Sequence, residues 1–138
     1  RFVTFASSAK LGGSSGAHRQ VFWRDGLTGE TRLISTDSAG NEGSADSFEP
    51  VISADGLTVA FESYATNLVA SDTNGARDVF VWSSANGQPA VGVERASVGP
   101  AGAQANSESF APTLSGDGRI IAFSTSASTL TTDGRTAV

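Results

Sequence analysis

The chain has 138 residues, a net charge of −5 and no cysteine, which excludes disulfides and thiolate zinc sites. Its arginines are scattered and supplemented only by Lys10, so no concentrated basic face is available for nucleic-acid phosphates. A content of 38% hydrophobic and 17% charged residues is typical of a globular protein, and no apolar run approaches the roughly 18 residues of a membrane span.

Apolar residues alternate with period two along the chain, which predicts half-buried β-strands. In chain order the predicted strands are 2–5, 20–23, 31–34, 50–53, 58–63, 78–82, 91–98, 113–114 and 119–124. Asn86-Gly87 predicts a hairpin turn between two of them, because both residues tolerate positive φ. Glycine, serine, threonine and asparagine interrupt every candidate helical window, so we expect an all-β fold.

A repeat organises the sequence. Segment 47–68 returns 62 residues later, with identity at positions 47, 48, 50, 53, 55, 56, 60, 61, 65 and 68. A fainter copy opens the chain, where alternate residues of 3–9 match those of 59–65. Repetition at this period is typical of blade or array architectures.

The predicted strands number four in the complete repeat, which is the blade of a β-propeller. We therefore expect 1–138 to be a partial propeller, an incomplete ring of about two blades plus one strand. Its divisions are an incomplete blade lacking its first strand (1–46), a complete blade (47–108) and the first half of a third blade (109–138). The remaining blades are expected from the same longer chain or, as an alternative, from identical copies.

Two copies of one motif carry a resemblance to a known family. Ser-Ala-Asp-Gly at 53–56 with Val-Ala-Phe-Glu-Ser at 59–63, and Ser-Gly-Asp-Gly at 115–118 with Ile-Ala-Phe-Ser at 121–124, resemble the repeats of TolB-like, WD-type β-propellers of bacteria. Segment 65–81 resembles a subset common in secreted or cell-envelope proteins. The resemblance implies a periplasmic or extracellular bacterial location and a role as a partner-binding platform.

The functional expectation is a non-catalytic scaffold that binds a protein or peptide, with no catalytic or cofactor-binding residue in this segment. The alternative is the propeller domain of a larger peptidase or hydrolase whose catalytic residues lie elsewhere. A third hypothesis is a lectin-like or calcium-dependent adhesin. Fold-level analogy does not choose among them.

One loop has the composition of a calcium site. Asp72, Asn74 and Asp78 place three oxygen-bearing side chains within seven residues, and calcium favours such oxygens. The spacing is not that of an EF-hand. The alternative is an Asx-turn in which Asp72 and Asn74 bond their own backbone while Asp78 opens a strand. The first repeat has Gln20 at the position of Asp78.

Segment 12–16 matches the Gly-x-Ser-x-Gly pattern of a nucleophile elbow, which needs a strand before it and a helix after it. No helical pattern follows, and the single histidine, His18, lies four residues beyond Ser14. We interpret this segment as a loop and His18 as a surface residue.

The repeated residues are predicted to have structural roles. The Asp-Gly pairs at 55–56 and 117–118 predict tight turns, with the aspartate capping backbone amides. Prolines are expected at the first position of a strand, and the repeated phenylalanines and both tryptophans between blades. The residues concerned are Pro50, Pro112, Phe61, Phe123, Trp23 and Trp82.

Overall fold

The computed structural model describes residues 1–85, 88–89 and 92–131, and these form three antiparallel sheets. The predicted Asn86-Gly87 turn and the first residue of the strand predicted at 91–98 lie outside the described residues. The described segments contain ten strands and a short 3₁₀ turn, so the all-β class is confirmed. None of these segments forms a helix with the length and hydrophobicity of a membrane span.

The first sheet has the order β1-β2-β3, with β1 at Phe2–Ser7, β2 at Gln20–Asp25 and β3 at Thr31–Leu33. Phe5 lies opposite Phe22 in the β1–β2 register, and their rings stack with centroids 5.4 Å apart. Cross-strand aromatic pairs of this kind stabilise antiparallel sheets.

The second sheet has the order β4-β5-β6-β7, and β8 also pairs with β6. Its strands are β4 Ser47–Ile52, β5 Thr58–Ser63, β6 Asp78–Ala85, β7 Gln88–Pro89 and β8 Glu94–Arg95. The long strand predicted over 91–98 is wrong in extent, because only β8 pairs with β6 there and the additional β7 pairs further along. Two-residue strands have too few positions for alternation to identify them.

The third sheet pairs β9 at Ser109–Leu114 with β10 at Ile121–Thr125. It contacts the second sheet, and Ala54 N donates a hydrogen bond of 2.8 Å to Gly116 O across the boundary. The turn between β4 and β5 is therefore bonded to the corresponding turn between β9 and β10.

The repeated prolines do not begin strands, contrary to the prediction. Pro50 and Pro112 lie inside β4 and β9, where the pairing of each strand shifts register. The residue before each proline, Glu49 or Ala111, has positive φ, at 44° and 52°. A bulge leaves a position out of the ladder, so a residue without an N–H is accommodated there.

The main core lies between the first and second sheets. Alternate residues of a strand face the same side of its sheet, and here they converge on this layer. Its buried members are Val21, Trp23, Ile34, Val59, Phe61, Ala65, Leu68, Phe80 and Trp82. The ring centroids of Trp23 and Trp82 are 6.0 Å apart, which confirms that both tryptophans pack inside. Phe61 is likewise confirmed as a core residue, whereas Phe123 in β10 is half-buried.

The predicted Asp-Gly turns are confirmed. The Oδ1 atom of Asp55 accepts hydrogen bonds from the Ser53 hydroxyl at 2.5 Å and the Leu57 amide at 2.9 Å, and Gly56 has φ 77°. The equivalent turn at Asp117 repeats this arrangement. These hydrogen bonds, the hydroxyl first, hold the pKa of both carboxyls below the usual value.

Buried hydroxyl pairs join the strands of each repeat. Ser47 Oγ donates to Ser63 Oγ at 2.9 Å, and Ser109 Oγ donates to Thr125 Oγ1 at 3.0 Å in the positions 62 residues later. Buried polar groups require such partners. The repeat therefore includes its polar network as well as its apolar positions.

Candidate functional site

The three candidate calcium ligands lie together at the start of β6, but around an arginine. Arg95 Nη1 is 3.4 Å from Asp72 Oδ1 and 3.3 Å from Asp78 Oδ2. All three side chains are nearly removed from water, with 10%, 3% and 0% exposure for Arg95, Asp72 and Asp78. The guanidinium thus supplies the positive charge between the two carboxylates.

Asn74 forms the predicted Asx-turn, because its Oδ1 accepts from Ala76 N at 2.9 Å. Its Nδ2 donates to Asp78 Oδ2 at 3.0 Å, so the carboxamide presents a donor to the carboxylate. Asp72 differs from the Asx-turn alternative, since its Oδ1 accepts from the side chain of Gln104 at 2.8 Å. Asp72 is therefore bonded to a distant segment, whereas Asn74 bonds the backbone of its own loop.

Burial, and then the nearby charge of Asp78, raises the pKa of the Asp72 carboxyl, and the Arg95 guanidinium and the hydrogen bond from Gln104 act against that rise. A calcium ion would compete with the guanidinium for the same oxygens. Calcium binding at this loop stays a prediction.

The first repeat has an equivalent hydrogen bond between a serine and the first residue of a strand, but its side chains carry no charge. Ser97 Oγ donates to Asp78 Oδ1 at 2.6 Å, and Ser35 Oγ donates to Gln20 Oε1 at the same distance. Leu33 occupies the position 62 residues before Arg95. The serine is common to both repeats, whereas the buried ion pairs belong to the second repeat alone.

The Gly-x-Ser-x-Gly segment is a turn that leads into β2, as the loop interpretation predicts. Ser14 is buried, and its Oγ donates to Ala9 O at 3.1 Å. His18 is exposed and lies 3.8 Å from Asp46 Oδ1. The hydroxyl of Ser14 is therefore hydrogen-bonded to the backbone of its own loop.

A groove of about 480 Å³ between the second and third sheets is the feature that sequence reasoning missed. The bulges of β4 and β9 form its walls because these two strands contact each other. Its lining residues are Glu49, Pro50, Val51, Glu62, Arg77, Phe110, Ala111 and Pro112.

Arg77 lies at the centre of the polar side of this groove. Its Nη1 is 2.8 Å from Glu62 Oε1 and its Nη2 is 3.4 Å from Glu108 Oε2. Its Cζ lies 5.0 Å from the ring centroid of Phe110, a cation–π contact. Glu62 Oε2 accepts from Ala111 N at 2.8 Å, so the buried carboxylate links the second sheet to the bulge of β9.

The junction of the first and second sheets shows which parts of this cluster are repeated. Arg19 lies over Phe48 at 5.7 Å, as Arg77 lies over Phe110. The position of Glu62 is Ala6 in the first repeat, at the 56-residue offset. The replacement of alanine by glutamate between the repeats was the only sequence signal for the groove that we identify. The role of this glutamate depends on its contact with β9, which the sequence does not show.

A second cavity, of about 470 Å³, lies beside the core of the first two sheets. Four of its five charged lining residues form ion pairs, Arg1 with Asp25 at 2.7 Å and Arg32 with Glu30 at 2.6 Å, and the fifth, Asp55, accepts hydrogen bonds within its own turn. The hydrogen bond from Arg1 lowers the pKa of Asp25 strongly. The charged residues of this cavity are therefore mostly compensated by one another.

Glu49 is the free charge of the groove. Its side chain is exposed and makes no hydrogen bond or ion pair with any residue that the structure describes.

No protein-family model matches the chain, and no curated protein matches it. Function therefore has to be inferred from the chain's own geometry.

Proposed function

We propose that the chain is part of a β-propeller that acts as a non-catalytic scaffold for a protein or peptide partner in a bacterial envelope or secreted protein. The 62-residue repeat, the antiparallel sheets packed side by side and the resemblance of the Ser-x-Asp-Gly motifs to TolB-like repeats support the propeller. The groove between β4 and β9 is the observation that carries the binding role.

The walls of the groove suit a peptide. They combine an aromatic ring, Phe110, with the aliphatic surfaces of Pro50, Val51 and Pro112. Its volume of about 480 Å³ lies within the range of roughly 300–1,000 Å³ usual for ligand pockets. Aromatic and arginine side chains in such positions carry much of the energy of protein interfaces.

The groove is also held in shape before any partner arrives. Glu62 fixes the bulge of β9 through Ala111 N, and Arg77 is held between two carboxylates. Preorganised walls lose little conformational entropy on binding. A short extended segment is therefore the occupant that this geometry suits best.

Selection of random dodecapeptides displayed on phage against the immobilised protein tests the scaffold role. We expect enriched peptides that bind the wild type and lose binding to Phe110→Ala and to Val51→Ser. The control is Leu27→Ala, which alters a side chain that is 77% exposed and distant in sequence from the groove. Circular dichroism verifies that each variant is folded. Failure to enrich any peptide, or enriched peptides that bind both groove variants normally, would overturn the proposed function.

A further inference from the structure

We infer that the groove between β4 and β9 selects a lysine or arginine side chain of its peptide partner, an inference that rests on the proposed function. Three properties of the groove support this inference: the charge compensation of its arginine, the excess of carboxylates and the apolar walls behind them.

The charge of the groove's arginine is already compensated. Nη1 of Arg77 lies 2.8 Å from Glu62 Oε1 and Nη2 lies 3.4 Å from Glu108 Oε2. A peptide carboxylate beside Arg77 would add a third negative charge around one guanidinium, and like charges at close range repel. The groove therefore disfavours an anionic residue.

The charge of the groove is complementary to a cation. Glu49 and Glu62 line the groove together with Arg77, and Glu108 pairs with Arg77 from beside the groove. These three carboxylates and one guanidinium carry a net charge of −2. Glu62 is buried and satisfied by Arg77 and Ala111 N, so it fixes the groove. The accessible carboxylate of the lining is Glu49, which is exposed and has no ion pair or hydrogen bond with a described residue.

The backbone at Glu49, which lines the groove, adopts an unfavourable conformation. Glu49 has φ 44° in the bulge of β4, a conformation unfavourable for any residue with a Cβ. Bulges re-aim the side chains that they carry, and this one carries a free carboxylate to the groove.

The apolar walls distinguish a lysine or arginine side chain from a small cation. These side chains pack their methylene stems on apolar surface while the charged head stays at a polar rim. Pro50, Val51 and Pro112 offer that surface, and Glu49 lines the same groove. The occupant is thus a basic residue within a peptide.

Fluorescence anisotropy with defined probes tests this selectivity on the full chain. The probes are acetyl-Gly-Ala-X-Ala-Gly-amide peptides with a neutral fluorophore, in which X is lysine, arginine, norleucine or glutamate. We expect the lysine and arginine peptides to bind about tenfold more tightly than the norleucine peptide, as for a hydrogen-bonded charge. The glutamate peptide should bind more weakly than all three.

A matched pair of variants locates the effect. Glu49→Gln should weaken binding of the lysine peptide about fivefold and reduce its salt dependence, whereas Glu94→Gln removes an exposed carboxylate of β8 and should leave affinity within about twofold. A lysine peptide that binds no more tightly than the norleucine peptide, or no loss with Glu49→Gln, overturns the inference. Competition by free 1,4-diaminobutane as strong as that by the lysine peptide also overturns it, because the occupant would then be a free amine.

These failures are distinguishable from failure of the scaffold role. Phage-selected peptides that depend on Phe110 but contain no lysine or arginine would refute charge selection and leave the binding scaffold intact.

Discussion

Arg95 forms an ion pair with Asp72 at 3.4 Å in which the two side chains are only 10% and 3% exposed. The same guanidinium nitrogen lies 3.3 Å from Asp78, so one cation serves two buried carboxylates. Removing one partner of a buried ion pair leaves the remaining charge without compensation, which costs far more than breaking a surface pair.

Arg95→Met should therefore lower the free energy of unfolding by about 3–5 kcal/mol, as measured by urea denaturation at pH 7. Arg24→Met is the control, because Arg24 is exposed and its loss should cost no more than about 0.5 kcal/mol. Equal effects of the two substitutions would show that the buried pair contributes no special stability.

Calcium should replace the missing charge. In Arg95→Met the carboxylates of Asp72 and Asp78 lose their guanidinium partner and become available to a hard cation. We expect millimolar calcium to raise the melting temperature of this variant and not that of the wild type. A rise in the melting temperature of the wild type would instead support the calcium site suggested by the sequence. The double variant Arg95→Met with Asp72→Asn should show no rise with calcium.

The raised pKa of Asp72 makes a prediction about pH. Burial and the charge of Asp78 disfavour its ionised form in the folded state, so the unfolded chain releases this proton first. The resulting cost is absent below the unfolded pKa of about 3.9 and grows as pH rises through the higher folded value. The stability of the wild type relative to Asp72→Asn should therefore fall between pH 4 and pH 7 in urea denaturation.

Asp55→Asn should show the opposite sign, because the hydroxyl of Ser53 and the amide of Leu57 lower the pKa of Asp55. Its contribution to stability is present above the unfolded pKa and is lost as pH falls through the lower folded value. If both variants shifted in the same direction, the assignment of the Asp72 shift to burial would be wrong.

Trp23→Ala should cost about 3–5 kcal/mol, because it opens a cavity against Trp82 and removes the hydrogen bond from Nε1 to Gly56 O at 2.8 Å. The fluorescence of the remaining tryptophan should shift to longer wavelength as water reaches it. Leu27→Ala, at a side chain that is 77% exposed, should change stability by less than about 0.5 kcal/mol. Unchanged stability in Trp23→Ala would contradict the core position of this ring.

Substitutions at two glycines distinguish the cost of backbone strain from the cost of steric overlap. Gly75 has φ 62° and open space around it, so Gly75→Ala should cost about 1–2 kcal/mol from the left-handed conformation alone. Gly56 has φ 77°, and a methyl group there overlaps the ring of Phe2. Gly56→Ala should therefore be clearly more destabilising in urea denaturation, and equal costs would refute the close approach of Phe2.

Local chemistry in the sequence determined the all-β class, most strand positions and the Asp-Gly turns. Alternation shows which face of β5 is apolar, and Asp55 caps an amide two residues away, so no distant contact is needed to identify either. The 62-residue repeat likewise predicted the packing of Phe61, and the aromatic character of both tryptophans predicted theirs.

Only the tertiary structure decided the meaning of the charged residues. Asp72 and Asp78 have the composition of a calcium loop, but Arg95, 17 residues beyond Asp78, lies between them. Glu62 accepts a hydrogen bond from the amide of Ala111, 49 residues away, and that contact links the second sheet to one wall of the groove. Periodicity and turn motifs are local properties of a chain, whereas the partner of a buried charge is set by which strands pack together, and no local pattern encodes that.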